Sequence, residues 1–168
     1  MDITLFLALA TTCAPQVDVG TARALVAVES AFNPYAIGVV GGALVRQPRH
    51  RAEAVATARA LQAGGWNFSL GLAQINVRNF ERLGLSTEDA FDPCANLAAM
   101  QAVLVECFTR VVPHEGAAQS VPQPVLRQAL SCYYSGNFVT GFEHGYVRRV
   151  ATAAARPSPS FAMPKESP

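Results

Sequence analysis

The sequence predicts an α+β domain that is mostly helical, with one small sheet near its middle. Two observations carry this. Several apolar stretches with helical spacing are punctuated by Pro and Gly, and a Gly-Gly turn signal sits between two short β-prone runs. Strands do not alternate with helices, which argues against a doubly wound sheet. The chain has 168 residues, of which 51% are hydrophobic and 15% charged. That is one domain's length with ample apolar material, not a disordered or highly charged chain.

The elements follow in order. Ile3–Ala10 is short and apolar, but no Lys or Arg precedes it. A secretory signal needs a charged start, so this segment is expected to be buried. Val17–Phe32 reads as a helix stopped by Asn33-Pro34. Ile37–Val40 and Ala43–Val45 flank Gly41-Gly42 and predict a two-residue hairpin. Arg51–Ala63 is a helix closed by Gly64-Gly65, and Trp66–Leu70 is a third short strand. A helical stretch near Val77–Leu83 ends at Gly84. Asp92-Pro93 caps a helix over Cys94–Val111. After a loop at Pro113–Gln123 come helices at Val125–Tyr134 and Gly141–Ala155. These define a domain over 1–155. The Pro-rich segment 156–168 reads as a flexible tail.

Charge and motifs exclude several functions. The 13 cations and 12 acids give net +1, so no electrostatic footprint for nucleic acid is present. No apolar run approaches the ~18 residues of a transmembrane helix. P-loop, GxGxxG, HExxH and GxSxG patterns are missing, and His50, His114 and His144 lack metal-like spacing. No metal or other cofactor is expected. Asn67-Phe68-Ser69 matches a glycosylation sequon, a pattern too short to carry weight. The four cysteines, Cys13, Cys94, Cys107 and Cys132, contain no CxxC. Two disulfides or four buried thiols both fit that count.

Glu29 is the most informative residue. On a helical wheel centred on Leu25 it lies about 40° away, between Val28 and Phe32. A carboxylate on the apolar side of its helix, one turn before the stop, has its ionised form penalised. A raised pKa supplies a general acid near neutral pH. The alternative is an ion pair with Arg23 or another arginine, and the wheel does not separate the two. Every other acid sits in a polar or amphipathic context, so no second carboxylate presents itself. Gly71-Leu72-Ala73-Gln74-Ile75-Asn76 and Cys132-Tyr133-Tyr134-Ser135-Gly136-Asn137 combine amides with apolar and aromatic groups. Such mixtures suit a sugar, which stacks its faces and hydrogen-bonds its hydroxyls. Taken singly, each segment is better explained by turn chemistry and ordinary core aromatics.

Taken together, Glu29-Ser30, the Gly71–Asn76 run and Tyr133–Asn137 resemble the soluble lytic transglycosylase domain, in order and in spacing. The likeness covers about Cys13–Val150. Val28–Gly42, Gly65–Gly71, Phe91–Cys94 and Ser131–Tyr134 further resemble the peptidoglycan-cleaving subunit of type IV secretion systems. The resemblance implies a lysozyme-like fold and a periplasmic enzyme without a cofactor. Its substrate would be peptidoglycan glycan strands, and its partners other components of the secretion system. It implies cleavage of the bond between N-acetylmuramic acid and N-acetylglucosamine, leaving a 1,6-anhydro end and opening murein locally. A muramidase on the same fold and a non-catalytic glycan-binding assembly subunit are the rivals.

By the same resemblance Glu29 is the catalytic acid and base, and Ser30 orients it. Gln74 and Asn76 line the sugar cleft, and Tyr133 assists beside the glutamate. Tyr134 and Asn137 are further substrate contacts. The pattern departs from the family at Ala73, where Met is usual, and at Cys132-Tyr133-Tyr134-Ser135-Gly136, where Ala-Tyr-Asn-Ala-Gly is common. The resemblance also implies disulfides, which an oxidising periplasm allows. Relatives with two cysteines keep one near the amino end and one after Asp-Pro, which implies Cys13–Cys94 and leaves Cys107–Cys132.

Overall fold

The structure, a computed structural model, describes residues 1–111 and 123–156. The expected tail after Arg156, His114 and nearly all of the expected Pro113–Gln123 loop lie outside them. Helix α1 spans Ile3–Cys13, with Asp2 accepting the Thr4 and Leu5 N–H groups at its start. Phe6, Ala10 and Cys13 share one face and are buried, so this apolar segment belongs to the core as expected.

Helix α2 spans Val19–Glu29, and Asp18 accepts the Thr21 N–H at 2.8 Å. It stops three residues before the expected Phe32. Ala31 and Phe32 both adopt left-handed backbone, at φ 49° and 62°, which no α-helix contains. The turn they make sets Phe32 edge-on against Phe6, centroids 5.1 Å apart. Glu29 is therefore the last residue of its helix, not one turn inside it.

The sheet corrects the expected hairpin. Strand β1 is Ile37–Val39, β2 is Phe68–Leu70 and β3 is Ile75–Asn76, antiparallel in the order β1-β2-β3. Ile37 pairs with Leu70 and Val39 with Phe68; Ser69 pairs with Asn76. Ala43–Val45 forms no strand, and Val45 is fully exposed. Gln47 holds the place a hairpin partner needs. Its side-chain amide accepts the Ile37 N–H at 2.8 Å and donates to the Ile37 carbonyl at 2.9 Å. The edge of β1 is satisfied by one side chain, as buried backbone requires.

Helix α3, Arg51–Ala63, crosses from β1 to β2 and buries only Ala54 and Ala58. His50 accepts the Glu53 N–H at its start, a structural role. After β3, a 3₁₀ turn at Val77–Asn79 runs into α4, Phe80–Leu83, which left-handed Gly84 closes. The long α5, Pro93–Val111, starts where Asp92 accepts the Ala95 N–H. It packs against α1 and against α6, Gln123–Ser135. The last helix was expected whole. Left-handed Gly145, φ 68°, divides it into α7, Thr140–Glu143, and α8, Tyr146–Ala155, which packs on α2.

Two disulfides brace this helical body. Cys13–Cys94 ties the end of α1 to the start of α5, and Cys107–Cys132 ties α5 to α6. This is the pairing the resemblance implied.

Candidate active site

The helix that presents Glu29 ends there, so its carboxyl leaves the helix wall at the edge of a cleft of about 660 Å³. One wall is the sheet. Phe68 and Leu70 of β2 face the core and are fully buried, so the alternation of a strand turns Asn67 and Ser69 to the cleft. Asn76 of β3 stands beside them and donates to Ser69 Oγ at 3.3 Å. The other wall is helical. It carries Tyr133 and Tyr134 from α6, Thr140 from α7, and His144.

Glu29 is half-buried, and its surroundings set its proton affinity. Desolvation dominates and pushes the carboxyl up from 4.5 to about 7. The hydrogen bond from Tyr146 and the charge of Arg149 pull the other way and are outweighed. The C-terminus of a helix is also the unfavourable end for an anion. Arg23, the alternative partner, instead donates to main-chain oxygens of Ala153 and Arg156 at the end of α8.

Tyr146 was not singled out in the sequence. Its ring is buried and its Oη donates to Glu29 Oε1 at 2.5 Å. Tyr134 stacks on it with centroids 4.6 Å apart, and His144 Nδ1 lies 3.2 Å from Tyr134 Oη. Three aromatic side chains thus back the carboxyl in sequence. The clue available beforehand was Gly145, which breaks the helix and starts α8 at Tyr146.

The Gly71–Gln74 turn is held from below. Asn96 is buried, donates to the Leu70 and Ala90 carbonyls, and accepts the Ala73 N–H. Gly71 has φ 79°, and a Cβ there would lie 2.3 Å from the Ala90 oxygen. Gln74 is itself left-handed, and its Nε2 donates to the Ala36 and Gly71 carbonyls. A Cβ on Gly38 would meet Gln74 Oε1 at 2.6 Å, so glycine there lets the amide lie against β1. Tyr133 Oη donates to the Ala73 carbonyl at 2.7 Å, joining α6 to the same turn. Burial, and then the Glu29 charge, push the Tyr133 phenol well up, so it stays a neutral donor.

Most expected site residues converge. Glu29, Gln74, Asn76, Tyr133 and Tyr134 all line the cleft. Two do not. Ser30 ends α2 and donates to the Val26 carbonyl, not to Glu29. Asn137 follows left-handed Gly136 and accepts the Val139 and Thr140 N–H groups, which makes it a turn residue. Residues missed from the sequence are Tyr146, His144, Ser69, Asn67 and Asn96. Asn67 Oδ1 is buried with no hydrogen-bond partner among the described residues. Among those residues Glu29 is the one acid lining the cleft.

The family model of the transglycosylase SLT domain matches residues 6–153. The chain belongs to that family. It is 49% identical over 154 residues to the type IV secretion system protein virB1 of Brucella abortus, covering 89% of this chain and 63% of that protein. It is 38% identical over 160 residues to protein virB1 of Rhizobium radiobacter, covering 94% of this chain and 64% of that protein. The virB1 of Agrobacterium fabrum is likewise 38% identical, over 157 residues, 92% of this chain and 61% of that protein. The chain spans less than two thirds of the length of these relatives. No solved structure matches it. Within the SLT family fold, the three quoted motifs meet around one carboxyl.

Proposed function

We propose that the chain, over residues 1–155, is a peptidoglycan lytic transglycosylase whose catalytic residue is Glu29. The observation that carries the reading is a single carboxyl, raised to about 7, in an open cleft without a second acid among the described residues. Two-carboxylate glycosidases place their partner within roughly 5–9.5 Å. The lone glutamate fits chemistry in which the substrate supplies its own nucleophile.

Glu29 enters protonated. It gives its proton to the oxygen linking muramoyl C1 to N-acetylglucosamine, and that bond breaks. Positive charge develops at C1, assisted by the muramoyl acetamido group. Glu29, now an anion, takes the proton of the muramoyl 6-hydroxyl, whose oxygen bonds to C1. The products are a 1,6-anhydro end and a free 4-hydroxyl, and no water is consumed. A pKa near the working pH suits a group that acts first as acid and then as base. Tyr146 holds the carboxyl in place through both steps. Gln74, Asn76, Tyr133 and Tyr134 line the path of the glycan.

The two disulfides suit an oxidising compartment, which supports a periplasmic location. Membership of the transglycosylase SLT family, together with likeness to a Brucella protein named for the type IV secretion system, supports a role in opening murein for such a system, with its other components as partners.

The test is product analysis. Murein digested by the wild type should carry 1,6-anhydromuramoyl ends by mass spectrometry. Reducing ends alone identify a muramidase instead. Glu29→Gln should lower turnover by about 10²–10⁴-fold. Undiminished clearing by that variant shows that Glu29 is not the catalytic residue, whereas a wild type that releases no fragments from murein leaves a glycan-binding subunit as the surviving reading.

A further inference from the structure

The cleft carries one permanent charge that the reaction leaves unused. Arg78 lies on the 3₁₀ turn after β3 and lines the cleft between Asn76 and Asn79. Its root is fixed, because Asn76 Oδ1 accepts the Arg78 N–H at 3.1 Å. Its guanidinium has no hydrogen bond or ion pair among the described residues. Arg82, four residues on, shows the contrast. It is held by Asn79 Oδ1 and by an ion pair with Glu106, so the nearby acceptors are engaged elsewhere. Among the described residues no other Arg or Lys lines the cleft.

A guanidinium fork matches a carboxylate in two parallel hydrogen bonds. The sugars of a glycan strand offer it none. The negative groups of murein are carboxylates on the peptide stems that hang from the muramoyl lactyl groups. We propose that Arg78 binds a carboxylate of the peptide stem and so selects peptide-bearing murein over bare glycan. This rests on the transglycosylase reading above and adds to it the part of the substrate that the cleft recognises beyond the sugars. The lactyl group itself becomes a carboxylate once the stem is removed, so the two sources must be separated.

Three substrates separate them: untreated murein, murein whose stem carboxyls are converted to amides with carbodiimide and ammonia, and strands stripped of stems by an amidase. Wild type should show kcat/KM about tenfold higher on untreated than on amidated murein, equivalent to about 1.4 kcal/mol. Arg78→Gln should bring that ratio to about one, with Arg78→Lys in between. Circular dichroism melts should match wild type for both variants, which separates a lost contact from a lost fold. The proposal is overturned if wild type does not discriminate, or if Arg78→Gln keeps the wild-type ratio. It is also overturned if stripped strands, which keep only the lactyl carboxylate, match untreated murein. Failure of the underlying reading appears separately, as reducing ends among the wild-type products.

Discussion

Tyr146 Oη donates a 2.5 Å hydrogen bond to Glu29 Oε1, across 117 residues of sequence. The bond favours the ionised carboxylate, while burial favours the protonated one, and burial prevails. Tyr146 thus limits how far the carboxyl is raised and fixes its direction.

Removing that donor has a signed consequence. In Tyr146→Phe the lowering influence is gone, so the Glu29 pKa should rise beyond about 7. The limb of the pH–rate profile that requires protonated Glu29 should move to higher pH. The plateau kcat should fall about tenfold, because the carboxyl is less well held. A limb that stays in place or moves down contradicts the role given to Tyr146. A wild-type limb near pH 4, the ordinary value for Glu, contradicts the burial itself.

Glu29 should also lower the stability of the fold at neutral pH. Its folded pKa lies above its unfolded value, so between pH 4.5 and about 7 the folded protein keeps a proton that the unfolded chain has lost. Stability therefore falls as pH rises through that window. The full shift corresponds to about 3 kcal/mol at most. Partial exposure to the cleft reduces this to about 1–2 kcal/mol. Glu29→Gln should melt later than wild type at pH 8 and alongside it at pH 4. Thermal melts at the two pH values decide the matter, and equal gaps at both would refute it.

Gly71 tests the floor of the cleft. Gly71→Ala forces a Cβ to within 2.3 Å of the Ala90 oxygen at a backbone angle alanine rarely adopts. Backbone and packing penalties of this kind cost about 1–3 kcal/mol. The Asn96 hydrogen bonds to this turn should loosen with it. A variant that melts within 1 °C of wild type shows that the turn yields freely.

The disulfides should differ in their contributions. Cys13–Cys94 closes a separation of 81 residues and Cys107–Cys132 one of 25. Chain-entropy reasoning gives about 4.5 and about 3.5 kcal/mol respectively. Paired Cys→Ala variants, followed by chemical denaturation, should both be destabilised, the first more. The second loosens α6, which carries Tyr133 and Tyr134, so its activity should fall further than its stability implies. Full activity in that variant would show that α5 and α6 hold together without the link.

What the amino-acid string determined by itself was local. Asp92-Pro93 started α5, Gly64 and Gly84 ended α3 and α4, and each acted through the backbone freedom or the cap it supplies within one turn. Glu29 was conspicuous for the same reason: an acid on the apolar side of one helix is visible from its near neighbours. Tertiary structure decided what those neighbours do not encode. Phe68–Leu70, not Ala43–Val45, became the partner of β1, because strand pairing is a competition between distant edges and Gln47 had filled the near one. Ser30 and Asn137 spent their side chains on the main chain at helix and turn ends, away from the cleft. The phenol that meets Glu29 came from the far end of the chain, where a helix broken at Gly145 turns Tyr146 into the core. A hydrogen bond between such remote residues leaves no local trace, since it exists only once the helices that carry its two ends have packed.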